Sequence, residues 1–145
     1  MKRRWFVFFC LFLTTCGKDT AEPQRAQTPA DAAVLAITPG LIFTFPNQSV
    51  GGTVDRTFTV ANTGQKTATE LESDFGLSIT FQYPGGYPGT GGTCASTLEA
   101  GASCTLTVEF SPQYVGSFTQ TLRVSYRNAY SVVFTEYPVL KGDGT

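Results

Sequence analysis

From Ile37 onward the chain is written in a period of two. No other feature constrains it more, because regular alternation of apolar and polar side chains suits a strand with one buried face and little else. Cys104, Leu106, Val108 and Phe110 alternate with Thr105, Thr107 and Glu109. Val54, Phe58 and Val60 oppose Asp55, Thr57 and Thr59; Leu41, Phe43 and Phe45 share a face; Phe118, Leu122, Val124 and Tyr126 continue the pattern. Val132, Phe134 and Leu140 fall in a last, less regular strand. The breaks carry turn chemistry, at Pro46-Asn47, Val50-Gly51-Gly52, Asn62-Thr63-Gly64, Ser111-Pro112, Val115-Gly116 and Arg127-Asn128. No stretch there has helical spacing. The expected fold is all-β, an antiparallel sandwich forming one domain over residues 37–145.

Ahead of this domain the chain changes character. Lys2, Arg3 and Arg4 precede an apolar run from Trp5 to Leu13, then small residues, which is the three-part pattern of a secretory signal over residues 1–15. The run is too short for a mature transmembrane helix, which takes about 20 apolar residues. Its exit, Leu13-Thr14-Thr15-Cys16, resembles the lipobox of bacterial lipoproteins, although threonine directly precedes the cysteine where glycine or alanine is usual. The resemblance implies lipidation of Cys16 and a palmitate-bearing membrane anchor; the competing reading is an ordinary secreted chain with an incidental cysteine. Gly17 is not the aspartate associated with inner-membrane retention, so the expected address is the cell envelope at the outer membrane. Residues 16–36, rich in charge and alanine with two prolines, read as a disordered tether, about 25 Å as a coil and up to roughly 70 Å stretched.

Losing Cys10 with the signal and Cys16 to lipid leaves Cys94 and Cys104, and an even remainder in an exported chain reads as one disulfide. A metal pair is the alternative, but the chain has no histidine and its one methionine is Met1. The whole chain has 10 basic against 11 acidic residues; without Lys2, Arg3 and Arg4 the balance is 7 against 11, a net of −4. That balance argues against a nucleic-acid partner, whose binding rests on phosphate neutralisation.

Catalytic arrangements are scarce. Without histidine no Ser-His-Asp or Cys-His group exists. Glu70 and Glu72 would share a face on a strand, but two solvated acids are the simpler account. Gly85-Gly86 through Gly91-Gly92 lack the lysine and following helix of a phosphate loop. No cofactor, catalytic residue or small-molecule substrate is therefore expected. The best candidate for contact is LSITFQYPGGYPGTGGT, residues 77–93, where Phe81, Tyr83 and Tyr87 stand among prolines and glycines. Exposed tyrosines supply rigid contact area at low entropic cost; the plain alternative is that Phe81 ends a core strand and the glycines merely connect.

The strings ITPGLIFTFPNQSVGGT, FTVANTG, GGTCASTLEAGASCTLTVEFSP, YVGSFTQTLRVSY and LKGDGT together resemble the bacterial choice-of-anchor D domains, relatives of the immunoglobulin-like ASH (ASPM, SPD-2, Hydin) and MSP-like modules. The resemblance spans nearly all of Ile37 to Thr145 and is most specific from Thr93 to Pro112. It implies an immunoglobulin-like sandwich of about seven strands, a Cys94 to Cys104 bridge and no catalytic residues. The function expected is a non-enzymatic lipoprotein whose domain binds or supports another envelope protein or a surface polymer; the alternative is an accessory or inhibitory subunit of an envelope enzyme.

Overall fold

In a computed structural model of the chain, the described residues are 32–73 and 78–145. The signal, Cys16 and the tether up to residue 31 lie outside them. The described residues form nine strands and no helix: β1 (Leu35–Thr38), β2 (Ile42–Thr44), β3 (Val54–Asn62), β4 (Ala68–Ser73), β5 (Phe81–Gln82), β6 (Thr97–Leu98), β7 (Ser103–Phe110), β8 (Gly116–Arg127) and β9 (Val132–Gly144). They build two sheets, ordered β1-β3-β7-β5 and β2-β9-β8-β4-β6. This is the expected all-β sandwich. Its pairings are antiparallel apart from β2, which runs parallel to β9. The excess over seven strands comes from pieces as short as β5 and β6, two residues each.

The alternation read from the sequence is the packing. Phe58, Val60, Leu106, Val108, Phe110, Leu122, Val124 and Leu140 are fully buried between the sheets. Register places Phe58 opposite Leu106, Val60 opposite Cys104 and Val54 opposite Phe110. At the lower end Phe45, Phe81 and Phe110 form a ring cluster, with centroids 5.0 Å apart for Phe81–Phe110 and 5.6 Å for Phe45–Phe110. Phe110 also lies against β9 where that strand has Gly142, at which a Cβ would come within 2.5 Å of the ring. The glycine clears room for that ring.

Two expectations shift at the amino-terminal edge. Residues assigned to the tether already belong to the domain: Ala33 and Leu35 are buried in the core, and Leu35–Thr38 pairs with Thr59–Asn62. The domain therefore reaches back at least to Ala32 rather than starting at Ile37. Leu41 also does not share the inward face of Phe43 and Phe45. It sits where the chain crosses from one sheet to the other, with φ 61° and 72% of its surface exposed.

Asn62 ties the pole where the chain enters the domain. It is 1% exposed, and every hydrogen-bonding position of its carboxamide is filled. Nδ2 donates to the Lys66 carbonyl at 2.7 Å and the Leu98 carbonyl at 3.0 Å, while Oδ1 accepts from the amides of Gly64 at 3.1 Å and Val34 at 3.3 Å. Its backbone amide donates to Ala102 and its carbonyl accepts from Gly101, both at 2.9 Å. One side chain thus joins the incoming strand, the turn after β3, and β6. Truncation strands several buried groups, each costing about 1–3 kcal/mol when unsatisfied. Asn62→Ala is expected to destabilise the domain by about 3 kcal/mol or more, read as a lower urea midpoint at unchanged slope; a midpoint within error of wild type would refute this role.

Candidate functional site

The contact segment singled out in the sequence proves to be a clasp. Phe81 pairs with Phe110 in register, stacks on its ring and is 1% exposed, so it closes the core and is corrected from a contact residue to a packing one. Tyr83 and Tyr87 are half-buried and packed against the core cluster, with rings edge to face at 5.6 Å. The Tyr83 hydroxyl donates to Ser73 Oγ at 2.5 Å, and Ser73 Oγ donates to the Arg123 carbonyl. Offered by the sequence as the best candidates for contact, both tyrosines hold the loop down onto β4 and β8.

Beyond them the chain closes on itself. Within the loop the amide of Gly86 donates to Tyr83, that of Gly89 to Gly86, that of Thr90 to Pro84 and that of Gly92 to Gly89. These four amides are spent on turns. Gly89, at φ 88°, lies so near β7 that a Cβ would meet the Thr107 carbonyl oxygen at 2.1 Å. The Thr107 amide donates to Pro88, and the amides of Thr93 and Cys94 reach the Thr105 carbonyl at 2.9 and 3.1 Å. The segment therefore extends β5 along the open edge of β7, covering backbone groups that would otherwise invite another strand.

The expected bridge between Cys94 and Cys104 fastens the end of this clasp, with both cysteines buried. Closing so short a loop stabilises a fold by about 2.5 to 3 kcal/mol in the chain-entropy model. Thr69 and Glu72 flank a register irregularity in β4 that contains Glu70, and both acids have a partner on β8: Arg127 Nε lies 3.1 Å from Glu70, and Ser125 Oγ is 3.3 Å from Glu72. Among the described residues no group of three or more His, Cys, Asp or Glu side chains is placed to hold a metal.

The exposed apolar surface that the sequence reading missed lies elsewhere. Val50, Ile79, Tyr114 and Val115 are exposed on three loops at the pole opposite Asn62. Those loops are joined by the Gly51 amide donating to Pro112 and the Ser111 amide donating to Thr80. The available signal was Tyr114-Val115 standing between Pro112 and Gly116, an apolar pair inside a turn.

A model of the family described as HYDIN/CFA65/VesB-like, Ig-like domain matches residues 42–136. Among solved structures, the chain is similar to the ASH/PapD-like domain 7 of human CEP192, with TM-score 0.60 and 15% identity, covering 84% of this chain and 91% of that one. It is also similar to the Vibrio cholerae VesB protease, with TM-score 0.60 and 18% identity over 75% of this chain but only 31% of that one. A Porphyromonas gingivalis W83 protein of unknown function matches with TM-score 0.51 and 12% identity, over 83% of this chain and 51% of that one. At these identities the likeness is one of fold. No curated sequence matches the chain.

Tyr87 gives the site a measurable signature. Its hydroxyl is buried and has no hydrogen-bond partner among the described residues. Burial, with the negative charge of Glu72 adding to it, pushes that phenol from 10.0 up to about 12. Because the folded state holds the proton more tightly than the unfolded chain, the contribution is intact below about pH 10 and lost as pH rises toward 12. Alkaline spectrophotometric titration is expected to resolve one late phenol that disappears in Tyr87→Phe. An unchanged titration in that variant would contradict the placement.

Proposed function

This chain belongs to the family of HYDIN/CFA65/VesB-like immunoglobulin-like domains, and from that premise we propose that it is a non-enzymatic contact module of a bacterial cell envelope, held at a membrane by lipid on Cys16. The observation that carries the contact half is the fate of the reactive side chains. The chain has no histidine, its two domain cysteines are bonded to each other, and its best candidate loop is folded back as a clasp. What such a domain offers a partner is surface. The anchoring half is supported by the cationic, apolar and small-residue pattern that ends at Cys16. Lipid is a strong tether when more than one chain inserts, since each buried methylene contributes about 0.8 kcal/mol. The address that fits is the outer membrane, and the partner class is another envelope protein or a surface polymer.

A second reading has one observation in its favour. VesB is described as a protease and matches this fold over 31% of its length, which suits an accessory or inhibitory subunit of an envelope enzyme. The two readings separate when the purified chain is added to a copurifying enzyme and the activity is followed.

The anchor is tested directly. The wild-type chain is expected to incorporate labelled palmitate and sediment with membranes, whereas Cys16→Ala is released to the soluble fraction. Equal fractionation of the two forms, with no palmitate in the wild type, would exclude the lipid.

A further inference from the structure

The eight large apolar side chains exposed among the described residues are not scattered evenly: Val50, Ile79, Tyr114 and Val115 converge on one pole. Single exposed apolar residues are ordinary, but a cluster on loops already locked to one another marks a contact surface. The locking is visible in the backbone. Val50 donates to Thr145, Gly51 to Pro112 and Ser111 to Thr80, while the Tyr114 ring lies 4.8 Å from that of Phe118. A partner would meet a surface that is already ordered, and little conformational entropy would remain to be lost.

Charge gives the surface a sign. Asp55 pairs with Glu109 across β3 and β7, one residue from the Val54–Phe110 pair that ends the ladder. Asp143 stands opposite Ser117, one residue from the Gly116–Gly144 end of β8 and β9. No lysine or arginine occupies these last ranks among the described residues. Arg56 and Lys141 lie farther in, opposite Val108 and Thr119. The other pole is mixed: Lys66 lies in the turn just after β3 and Arg127 ends β8, but Glu99 reaches the same turn through Thr67 and Glu70 pairs with Arg127. An apolar crown with an acidic rim is complementary to an apolar segment flanked by cations.

The location also suits contact. The Ala33 amide donates to Asn128 and the Gln65 amide to Ala32, so the chain enters the domain at the far pole. Ala32 and Ala33 therefore lie at the end opposite the crown.

We propose that the Val50, Ile79, Tyr114 and Val115 crown docks a protein segment of apolar side chains flanked by lysine or arginine. This rests on reading the domain as a contact module and does not depend on the lipid.

The test uses the full chain in lipid nanodiscs, methyl-labelled on isoleucine and valine. Two synthetic peptides share one apolar centre, with lysine flanks in one and glutamate flanks in the other. The lysine-flanked peptide is expected to shift the methyls of Val50, Ile79 and Val115 and to lose affinity as salt rises. The glutamate-flanked peptide is expected to leave them in place. Tyr114→Ser combined with Val115→Ser should weaken binding about tenfold or more, the loss expected of anchoring side chains at a contact centre. Both positions are exposed, so unshifted Val60 and Val124 methyls will confirm that the core is intact. Equal response to both peptides, or no response, would overturn the proposal. Shifts centred on Ile42 would also overturn it while leaving the contact-module reading standing.

Discussion

The sandwich is held at its point of entrance by one buried carboxamide. Asn62 meets the incoming strand through the Val34 amide, its own turn through Gly64 and Lys66, and β6 through Leu98. An asparagine in an apolar interior is unfavourable unless every donor and acceptor is used, and here all are. The same satisfaction makes the arrangement specific, because no apolar replacement reproduces two donors and two acceptors pointing at three segments. The β3–β7 ladder supplies the buried area; Asn62 decides how the remaining chain is attached to it.

The rest of the architecture can be understood as management of edges. β1 covers β3 only from Thr59 to Asn62, after which the chain leaves for the other sheet. The stretch of β3 it leaves carries Arg56 at a position whose alternation matches Phe58, and its guanidinium lies over the Phe43 ring at 4.8 Å. A charge on an edge stretch discourages pairing with a foreign strand. On the opposite side, the edge of β7 is occupied by the clasp that Cys94 fastens. Both devices lie on the β1-β3-β7-β5 sheet.

The strongest elements were legible because their side chains carry the pattern. β3, β7 and β8 present apolar residues at most of their alternate positions, Arg56, Asn62 and Gln120 being the exceptions, and the apolar ones are buried or partly buried. The pairing of Cys94 with Cys104 followed from cysteine number in an exported chain and from the family resemblance. β1 was hidden because Ala33, Leu35 and Ala36 lie in an alanine-rich stretch whose composition is also that of a tether. Leu41 was misplaced because a residue with positive φ at a crossing between sheets breaks the alternation that had defined its face. The tyrosines misled for another reason. Composition offered a candidate contact loop, whereas the glycines supply the positive φ values of successive tight turns, and the rings fill space between that loop and the sandwich. Exposure, which decides whether a tyrosine meets a partner or a core, depends on tertiary contacts that no local pattern encodes.

The proposed function therefore separates into a structural half, with Asn62 and the clasp, and a proposed contact surface at the pole opposite Asn62. The first half is the premise of the second, since a crown on three loops is a surface only if the strands beneath it are fixed from the other end. Native-state hydrogen exchange examines that premise most directly. The amides of Val34, Gly64 and Gly101, which donate to Asn62, are predicted to exchange only through global unfolding, with the same protection as Leu106 and Val108 in β7. If those three amides exchange on the timescale of surface loops while β7 stays protected, Asn62 does not hold the fold together and the account fails.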